Sequence, residues 1–443
     1  MLVTWLSVVL ASRVTATMRV AFSDQREYKL KLRNRQIGIY MRQSLVYILL
    51  FGCLNLTAQS IDFARGADIS WCSEMEAAGM RFYNFNGQET DIFLLMKQIG
   101  MNAIRLRVWV NPETGYGAWS DKADVLAKAQ RAKQHGLSLM IDFHYSDYFA
   151  DPGRQTKPSA WSGFSFEDTK TALGNHTKDV LQALKAEGIE PLWVQVGNET
   201  ASGMVWEDGR IDWNLPESER WLNYVALSNA GYDAVKQVLP KTSVIVHHDN
   251  AIHDNVWFYE AFKKYGGKFD MIGLSHYPDW ETWSISNTTA ASNLRKLHDA
   301  FAVPVMIVET GYSTWDEKRA ERVMKDLLSK MEQEEGCAGV LYWEPEVYGG
   351  WEARQLLDDG TWKEGNKGQY GVKVTNHGAF NEYGQPSAAL LAFGVTTGIE
   401  RTVLDNVDTE CYFNLQGQRV SKNAKGIKIV HDGISYRKVM YNY

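Results

Sequence analysis

The chain has 443 residues and a formal net charge of −6 at pH 7, which argues against the clustered basic surface of a nucleic-acid-binding protein. Hydrophobic residues make up 45% of the chain, enough for a large buried core and too many for a disordered protein. The 16 tryptophans fall largely at predicted strand ends and loops, where core packing explains them poorly.

The N-terminal 60 residues are excluded from the predicted fold. Residues 41–60 combine a basic start, an apolar run and a small-residue end, the pattern of a secretory signal peptide. We take Met41 as the true start of the protein and residues 1–40 as an extension that results from a wrongly assigned start codon. The alternative is that Leu2–Ala11 belong to a genuine first segment. The expected location is therefore periplasmic, extracellular or attached to the cell surface.

Cys53 lies at the end of a short run that resembles a lipoprotein cleavage box. This residue leaves a lipid anchor open as an alternative to plain secretion.

From residue 63, short apolar runs alternate with amphipathic stretches, which predicts repeated βα units and a parallel sheet. Eight such units close a (β/α)₈ barrel, whereas an open doubly wound sheet usually has five or six strands. We assign the barrel to residues 61–397. The eight predicted strands are Phe63–Ser70, Ala103–Val110, Leu137–His144, Pro191–Glu199, Thr242–Asn250, Asp270–Tyr277, Val303–Thr310 and Gly339–Glu344.

Two of the intervening stretches, Asp121–His135 and Asp316–Gln333, are predicted to be helices. In the second, six apolar residues recur at helical spacing and should form one buried stripe: Ala320, Val323, Met324, Leu327, Leu328 and Met331.

The C-terminal region is predicted to change character after a last barrel helix near Ser387–Phe393. Residues 398–443 contain alternating apolar and polar runs separated by turn residues, which predicts a small antiparallel β appendage. Its role is either attachment or sorting, or that of a structural cap.

Three cysteines follow the predicted signal, an odd number that predicts no disulfide framework: Cys72, Cys337 and Cys411. Cys72 follows the first predicted strand and Cys337 precedes the eighth, so they should lie at opposite ends of the barrel. A bridge between them is not expected, because disulfides need Cα atoms within about 7 Å.

Polar and aromatic residues stand at the carboxyl ends of seven predicted strands, and this is the face on which (β/α)₈ enzymes carry their active sites. Among them, Glu199 ends the fourth strand and Glu309 the seventh. Retaining glycosidases need two such carboxyl groups, one protonated to assist departure and one ionised to attack the anomeric carbon. Asn198 could hydrogen-bond a sugar 2-hydroxyl. Apolar runs lead into both glutamates, which argues against simple surface ion pairs.

The fuller strings at these strand ends resemble glycoside hydrolase family 53, the endo-β-1,4-galactanases of clan A, over residues 62–393. The matching strings are Arg105–Pro112, Asp142–Asp147, Gln195–Thr200 and Val308–Tyr312. The resemblance implies a (β/α)₈ barrel that hydrolyses β-1,4-galactan or arabinogalactan side chains of pectin with retention of configuration. It implies Glu199 as acid/base and Glu309 as nucleophile.

An ionised Glu309 requires a cation and hydroxyl donors nearby, for which Arg107 and Tyr277 are the candidates. Arg105 shares a strand face with Arg107. It either points into the site or forms a structural ion pair lower in the barrel.

Asp142 is expected to bind the substrate. His144 and His276 are expected to bind sugar hydroxyls or to orient carboxylates, and the alternative for either histidine is a satisfied role in the core. Trp343 should form the floor beneath the reacting sugar, since an aromatic ring can pack on the apolar face of galactose. Trp109 is the first candidate for a further subsite, and ordinary loop packing is the alternative. The same choice applies to Trp206, Trp280 and Trp351.

No metal site or cofactor is predicted. His247 and His248 are adjacent on a strand and so point to opposite faces, which prevents easy chelation of one ion. The loop from residue 345 to 383 shows no oxygen-ligand string with recognisable spacing, which leaves structural calcium undecided.

Two alternatives remain open: another clan A β-glycanase, such as a mannanase or cellulase, and a non-catalytic carbohydrate-binding barrel. The expected partner is a polysaccharide, and a monomer is expected.

Overall fold

The computed structural model describes residues 63–112, 119–349, 351 and 378–394, and short strands within 355–363 and 411–441. The predicted extension, the signal peptide, Cys53 and most of the loop from residue 345 to 383 lie outside the described residues.

Eight parallel strands form a closed barrel in which each strand pairs with its neighbours in sequence and the last pairs with the first. The predicted (β/α)₈ fold is confirmed. The strands are β1 (Ala64–Asp68), β2 (Ala103–Val108), β3 (Ser138–Phe143), β4 (Trp193–Val196), β5 (Ser243–His248), β6 (Met271–His276), β7 (Val305–Thr310) and β8 (Cys337–Trp343).

Helices surround this barrel. The described helices are Cys72–Ala77, Ile92–Ile99, Lys122–Gln134, Phe166–Ala186, Glu217–Arg220, Leu222–Val238, Val256–Lys264, Trp283–Phe301, Glu317–Gln333 and Ala388–Leu391. The side chains of Asp121 and Asp316 cap two of them by accepting hydrogen bonds from backbone N–H groups, an interaction that stabilises a helix by about 1 kcal/mol. Both predicted helices are confirmed, and all six residues of the predicted stripe on Glu317–Gln333 are buried.

The barrel interior is filled at its amino end by a compact apolar cluster: Ala64, Ala103, Met140, Trp193, Ile245, Met271, Met306, Val308 and Leu341. Gly273 belongs to this layer, and a Cβ there would lie 2.8 Å from Ile245 and 3.2 Å from Val308. Above the cluster the inward side chains become polar. The apolar layer therefore closes the barrel from below and leaves the carboxyl face for chemistry.

One irregularity in β7 affects the site. Ile307 pairs with Leu274 of β6, but the next pair is Glu309 with Ser275, so Val308 is an extra residue on β7. An extra residue of this kind is a β-bulge, which changes the direction of the side chains that follow it. Met306 and Glu309 consequently both face the interior, which strict alternation would forbid.

Four short strands of the C-terminal segment form an antiparallel sheet: Cys411–Phe413, Arg419–Val420, Gly426–His431 and Tyr436–Tyr441. This agrees with the predicted β appendage. In the part of the chain that the structure describes, Cys72 and Cys337 are both free. None of the helices described there is long and apolar enough to cross a membrane.

Candidate active site

The two predicted catalytic glutamates meet at the carboxyl end of the barrel. Glu199 follows β4 and Glu309 belongs to β7, with β5 and β6 between these strands. The hydroxyl of Ser275, on β6, lies 2.6 Å from Oε1 of Glu199 and 3.5 Å from Oε2 of Glu309. One hydroxyl therefore contacts both carboxylates.

The backbone of Glu199 adopts a left-handed conformation, with φ 47° and ψ 57°. Non-glycine residues rarely adopt positive φ, and such strain is typical of functional sites where the surroundings impose it. The N–H of Glu199 donates to Nδ1 of His247 at 3.2 Å. This bond between the ends of β4 and β5 helps to hold the carboxyl group over the barrel.

Arg105 is the cation beside Glu309, and its Nη2 lies 2.8 Å from Oε1 of that residue. The same guanidinium contacts Asp68 and Asp142 at 2.8 Å each and donates to Oδ1 of Asn198 at 2.8 Å. Burial disfavours this charge, but the surrounding carboxylates, chiefly Asp142 and Glu309, raise the pKa of Arg105. It therefore remains charged and joins side chains from four other strands or strand ends.

The pKa values of the two glutamates are both raised. For Glu199, burial and then the negative charge of Glu309 raise the pKa well above 4.5. For Glu309, burial raises the pKa while Arg105 lowers it. Because two adjacent buried carboxyls cannot both ionise easily, we assign the proton to Glu199 and the negative charge to Glu309.

Tyr277 and Trp343 complete the surroundings of the nucleophile candidate. Tyr277 donates its hydroxyl hydrogen to Oε2 of Glu309 at 3.1 Å, and burial raises the pKa of Tyr277 well above 10, so the phenol keeps its proton. The half-buried ring of Trp343 lies edge-on to Tyr277, with ring centroids 6.2 Å apart. An indole beside the tyrosine that donates to Glu309 is suitably placed to contact a sugar ring.

The comparisons with known proteins agree with this geometry. The sequence matches the profile of Glycosyl hydrolase family 53 over residues 64–393, about three quarters of the chain. The chain belongs to glycosyl hydrolase family 53. As a member of this family it is a glycosidase, and the predicted resemblance is confirmed.

Relatives from bacteria and fungi support the same assignment. An endo-β-1,4-galactanase of Bacillus subtilis is 34% identical over 259 residues, which cover 57% of this chain and 57% of that protein. An arabinogalactan endo-β-1,4-galactanase of Cellvibrio japonicus is 32% identical over 316 residues, 65% of this chain and 81% of that protein. A solved structure of a fungal β-1,4-galactanase superimposes with a TM-score of 0.62 at 26% identity, covering 75% of this chain and 99% of that one.

Within this family 53 barrel, the expectation that Arg107 accompanies Glu309 is wrong. Nη1 of Arg107 pairs instead with Oε1 of Glu344 at 2.8 Å, and its guanidinium carbon lies 3.9 Å from the ring centre of Trp71. Arg105 takes the position beside Glu309 because it lies two residues nearer the amino end of β2 than Arg107, on the same face of the strand.

The predicted residues Asp142, His144 and Asn198 belong to the network around Arg105. Nε2 of His144 lies 2.9 Å from Oδ2 of Asp142, and its Nδ1 accepts from the backbone N–H of Ala150 at 2.9 Å. Burial opposes ionisation of Asp142, yet Arg105 and then His144 lower its pKa. Asn198 donates to the backbone oxygen of Ala150 at 2.8 Å. His144 thus orients a carboxylate, one of the two roles predicted for it.

Two other predicted residues lie away from the two carboxyls. The ring of His276 is 2.9 Å from Oδ1 of Asn287, which belongs to the helix Trp283–Phe301, so it faces the outer layer. Trp109 is 3% exposed, and its ring packs edge-on against Trp71. Its buried ring does not offer an open platform for a sugar.

Sequence reasoning missed four residues of the site: Asp68, Gln195, His247 and Ser275. Each lies on the inward face of its strand. The signal that could have found Ser275 is its spacing of two from Tyr277, since residues two apart on a strand share a face.

The adjacent histidines do face opposite ways, as alternation predicts. His247 lies 2.9 Å from the hydroxyl of Ser275, whereas the ring of His248 packs against Phe258. Within the described ranges, no group of three or more His, Cys, Asp or Glu side chains is arranged to hold a metal ion.

Proposed function

We propose that the protein is a retaining endo-β-1,4-galactanase whose substrate is β-1,4-galactan in the arabinogalactan side chains of pectin. The family, the named activities of its relatives and the strand-end strings support the linkage and the sugar. The observation that carries the mechanism is the contact of one hydroxyl, that of Ser275, with both glutamates.

The spacing of the carboxyls supports retention. Because Ser275 lies 2.6 Å from Glu199 and 3.5 Å from Glu309, the two bonded oxygens are separated by no more than the sum of these distances. Inverting enzymes need about 6.5–9.5 Å to admit a water between their carboxyls, whereas retaining enzymes hold them about 5–5.5 Å apart. A single hydroxyl that reaches an oxygen of each carboxyl therefore supports the shorter separation, that of retaining enzymes.

The reaction then takes two displacements. An ionised oxygen of Glu309 attacks the anomeric carbon while Glu199 gives its proton to the departing glycosidic oxygen, which leaves a glycosyl ester on Glu309. Glu199, now ionised, takes a proton from water as that water attacks the same carbon. The ester bond breaks, the sugar leaves with its original configuration, and both glutamates return to their starting states.

Replacement of each glutamate tests this proposal. Glu199→Ala and Glu309→Ala should each remove nearly all galactan hydrolysis in a folded protein, whereas Glu335→Ala, at an exposed position before β8, should not. With an activated aryl leaving group, Glu199→Ala should recover glycosylation, and azide should then yield a β-galactosyl azide. Substantial galactanase activity in either folded active-site variant would contradict the assigned roles.

Parallel assays identify the substrate and the mode of attack. Galactan should be hydrolysed, while mannan and cellulose should not; preference for either would favour the alternative clan A activity. A rapid fall in galactan viscosity relative to the release of reducing ends indicates endo action, and hydrolysis from chain ends alone would overturn it.

We further propose that the protein is exported as a monomer after cleavage near Ser60. The apolar run within residues 41–60 supports this. Mass spectrometry of the mature N-terminus and gel filtration provide the tests. An acylated N-terminal Cys53 would establish the lipid-anchored alternative instead.

A further inference from the structure

We propose that His247 and Ser275 are positioning residues that hold the catalytic proton of Glu199 on Oε2, because His247 donates to Ser275 and Ser275 in turn donates to Oε1. The inference rests on the proposed role of Glu199 as general acid. It assigns a function to a buried histidine and a buried serine that no catalytic step otherwise uses.

The orientation of Gln195 determines which nitrogen of His247 carries hydrogen. Nε of Arg105, which can only donate, lies 3.3 Å from Oε1 of Gln195. The amide nitrogen of Gln195 therefore points the other way, 2.8 Å from Nδ1 of His247. Since an amide nitrogen donates, Nδ1 is the acceptor.

A second donor agrees with this tautomer. The backbone N–H of Glu199 also points at Nδ1 of His247, at 3.2 Å. The opposite tautomer would give one bond to Oδ1 of Asn198, 3.1 Å away, but would leave two buried donors facing an N–H. Buried donors without acceptors cost about 1–3 kcal/mol each, so hydrogen belongs on Nε2.

With hydrogen on Nε2 of His247, two further hydrogen bonds connect β5 to β6 and β6 to the end of β4. Nε2 of His247 donates to the hydroxyl oxygen of Ser275 at 2.9 Å. The hydroxyl hydrogen of Ser275 is then directed to Oε1 of Glu199 at 2.6 Å. Burial and the nearby charge of Arg105 lower the pKa of His247 well below 6.5, so its ring remains neutral with a single hydrogen.

This arrangement distinguishes the two oxygens of Glu199. A proton on Oε1 would be donated to the oxygen of Ser275, and the hydroxyl hydrogen of Ser275 would then have Oε2 of Glu309 as its acceptor, 3.5 Å away, which is long for an O–H···O bond. A proton on Oε2 instead keeps the 2.6 Å bond from Ser275 to Oε1 of Glu199. The general acid is therefore prepared with its proton on one oxygen, and the same hydroxyl stabilises the carboxylate after the proton has left.

Other charges around Glu199 act on its pKa as well. Glu309 on β7 and Asp249 after β5 raise the pKa, while Arg105 on β2 and the hydroxyl of Ser275 lower it. Removal of that hydroxyl should therefore raise the pKa of Glu199. The alkaline limb of the kcat/KM profile, where Glu199 must still hold its proton, should move to higher pH.

Ser275→Ala is the principal test, with Ser138→Ala as the matched control. Ser138 is a buried serine at the opposite end of the barrel, on β3. Ser275→Ala should lower kcat on galactan about tenfold or more, with a smaller change in KM and a smaller loss on an activated aryl galactooligosaccharide. Its alkaline limb should shift upward. Ser275→Thr, which restores the hydroxyl, should recover part of kcat, and Ser138→Ala should match the wild type.

Two outcomes would overturn the inference. One is a folded Ser275→Ala whose leaving-group dependence and pH profile match those of Ser138→Ala. The other, measured on wild type alone, is a ¹⁵N NMR spectrum in which His247 carries hydrogen on Nδ1 or titrates within the active pH range. Either could occur while Glu199→Ala still shows azide rescue, which separates failure of this inference from failure of the proposed function.

Discussion

Arg105 and Arg107 lie two residues apart on the same face of β2, and each is only 1% exposed, yet they occupy different chemical environments. Arg105 is surrounded by carboxylate and amide oxygens and contacts Glu309 directly. Arg107 has one carboxylate partner, Glu344, and its guanidinium lies among three aromatic rings: Trp71, Trp109 and Phe149. Its Nε and Nη2 have no hydrogen-bond partner among the described residues.

The difference shows that residue type and strand face do not determine function at this site. A difference of two residues along β2 decides whether an arginine neutralises the nucleophile or packs among aromatic rings. Arg105 should therefore matter chiefly for catalysis, and Arg107 chiefly for stability. Four predictions test this contrast, from the largest effect to the smallest.

Replacement of Arg105 should be the most damaging. Arg105→Met leaves Asp68, Asp142 and Glu309 without their shared cation, so their pKa values should rise and the nucleophile should become protonated. We expect a loss of galactanase kcat of roughly a thousandfold or more, with a loss of about 3–5 kcal/mol in the free energy of unfolding. Kinetics and urea denaturation measure both. A folded variant with near-normal kcat would refute the contrast.

Replacement of Arg107 should affect stability more than turnover. Arg107→Met keeps the stem among the rings but removes the cation that lowers the pKa of Glu344. At pH 9 Glu344 must then either stay ionised without a partner or take up a proton, which should cost about 3 kcal/mol of stability while kcat stays within about tenfold. The double variant Arg107→Met/Glu344→Gln removes this ionisable group and should regain part of the stability lost at pH 9. If Arg107→Met instead lost kcat as severely as Arg105→Met, Arg107 would belong to the catalytic group.

Trp343 and Glu344 are consecutive at the end of β8, and they separate the two environments further. The ring of Trp343 packs on Tyr277, which donates to Glu309, whereas Glu344 pairs with Arg107. Trp343→Ala should cost about 1–3 kcal/mol of transition-state stabilisation, by analogy with other aromatic stacking platforms. If stacking tightens as the sugar flattens, kcat should fall as well as KM rise, and Trp343→Phe should recover part of the activity. Equal activities of the Phe and Ala variants would identify Trp343 as a packing residue.

Glu344 should leave a signature in the pH dependence of stability. Burial raises its pKa from 4.5 to about 8, although Arg107 acts to lower it. Between these two pH values the folded state holds a proton on Glu344 that the unfolded state has lost. The contribution of Glu344 to the free energy of unfolding is therefore complete below about pH 4.3 and disappears as pH rises through about 8. Glu344→Gln should make the decline of Tm between pH 5 and 8.5 shallower. Glu335→Gln is the exposed control, and identical slopes for both variants would contradict the assignment.

Sequence patterns predicted the eight strands because a buried parallel strand needs a nearly continuous apolar run, and such a run is local. They also identified Glu199 and Glu309, since each follows such a run directly. The inward face of a strand was harder to assign. The sequence predicts a site role for His276 on β6, but its side chain faces Asn287 on the outer layer, while its neighbour Ser275 contacts both glutamates.

The bulge on β7 explains part of this difficulty. Alternation from Met306 would turn Glu309 outward, and only the extra residue Val308 brings it to the interior. A bulge is defined by pairing with neighbouring strands, so a single strand's sequence does not reveal it. The same holds for Arg105, whose partners come from β1, β3, β4 and β7.

The sequence by itself determined the barrel, its two catalytic carboxyl candidates and, through motif strings, the family, because all three are written in contiguous residues. Only the tertiary structure decided which arginine neutralises Glu309, which histidine reaches the site and which hydroxyl joins the two carboxyls. Those assignments depend on the position of each residue along its strand, on the register between strands and on the closing of the barrel. Together these bring into contact side chains that lie far apart in the sequence, such as Arg105 and Glu309.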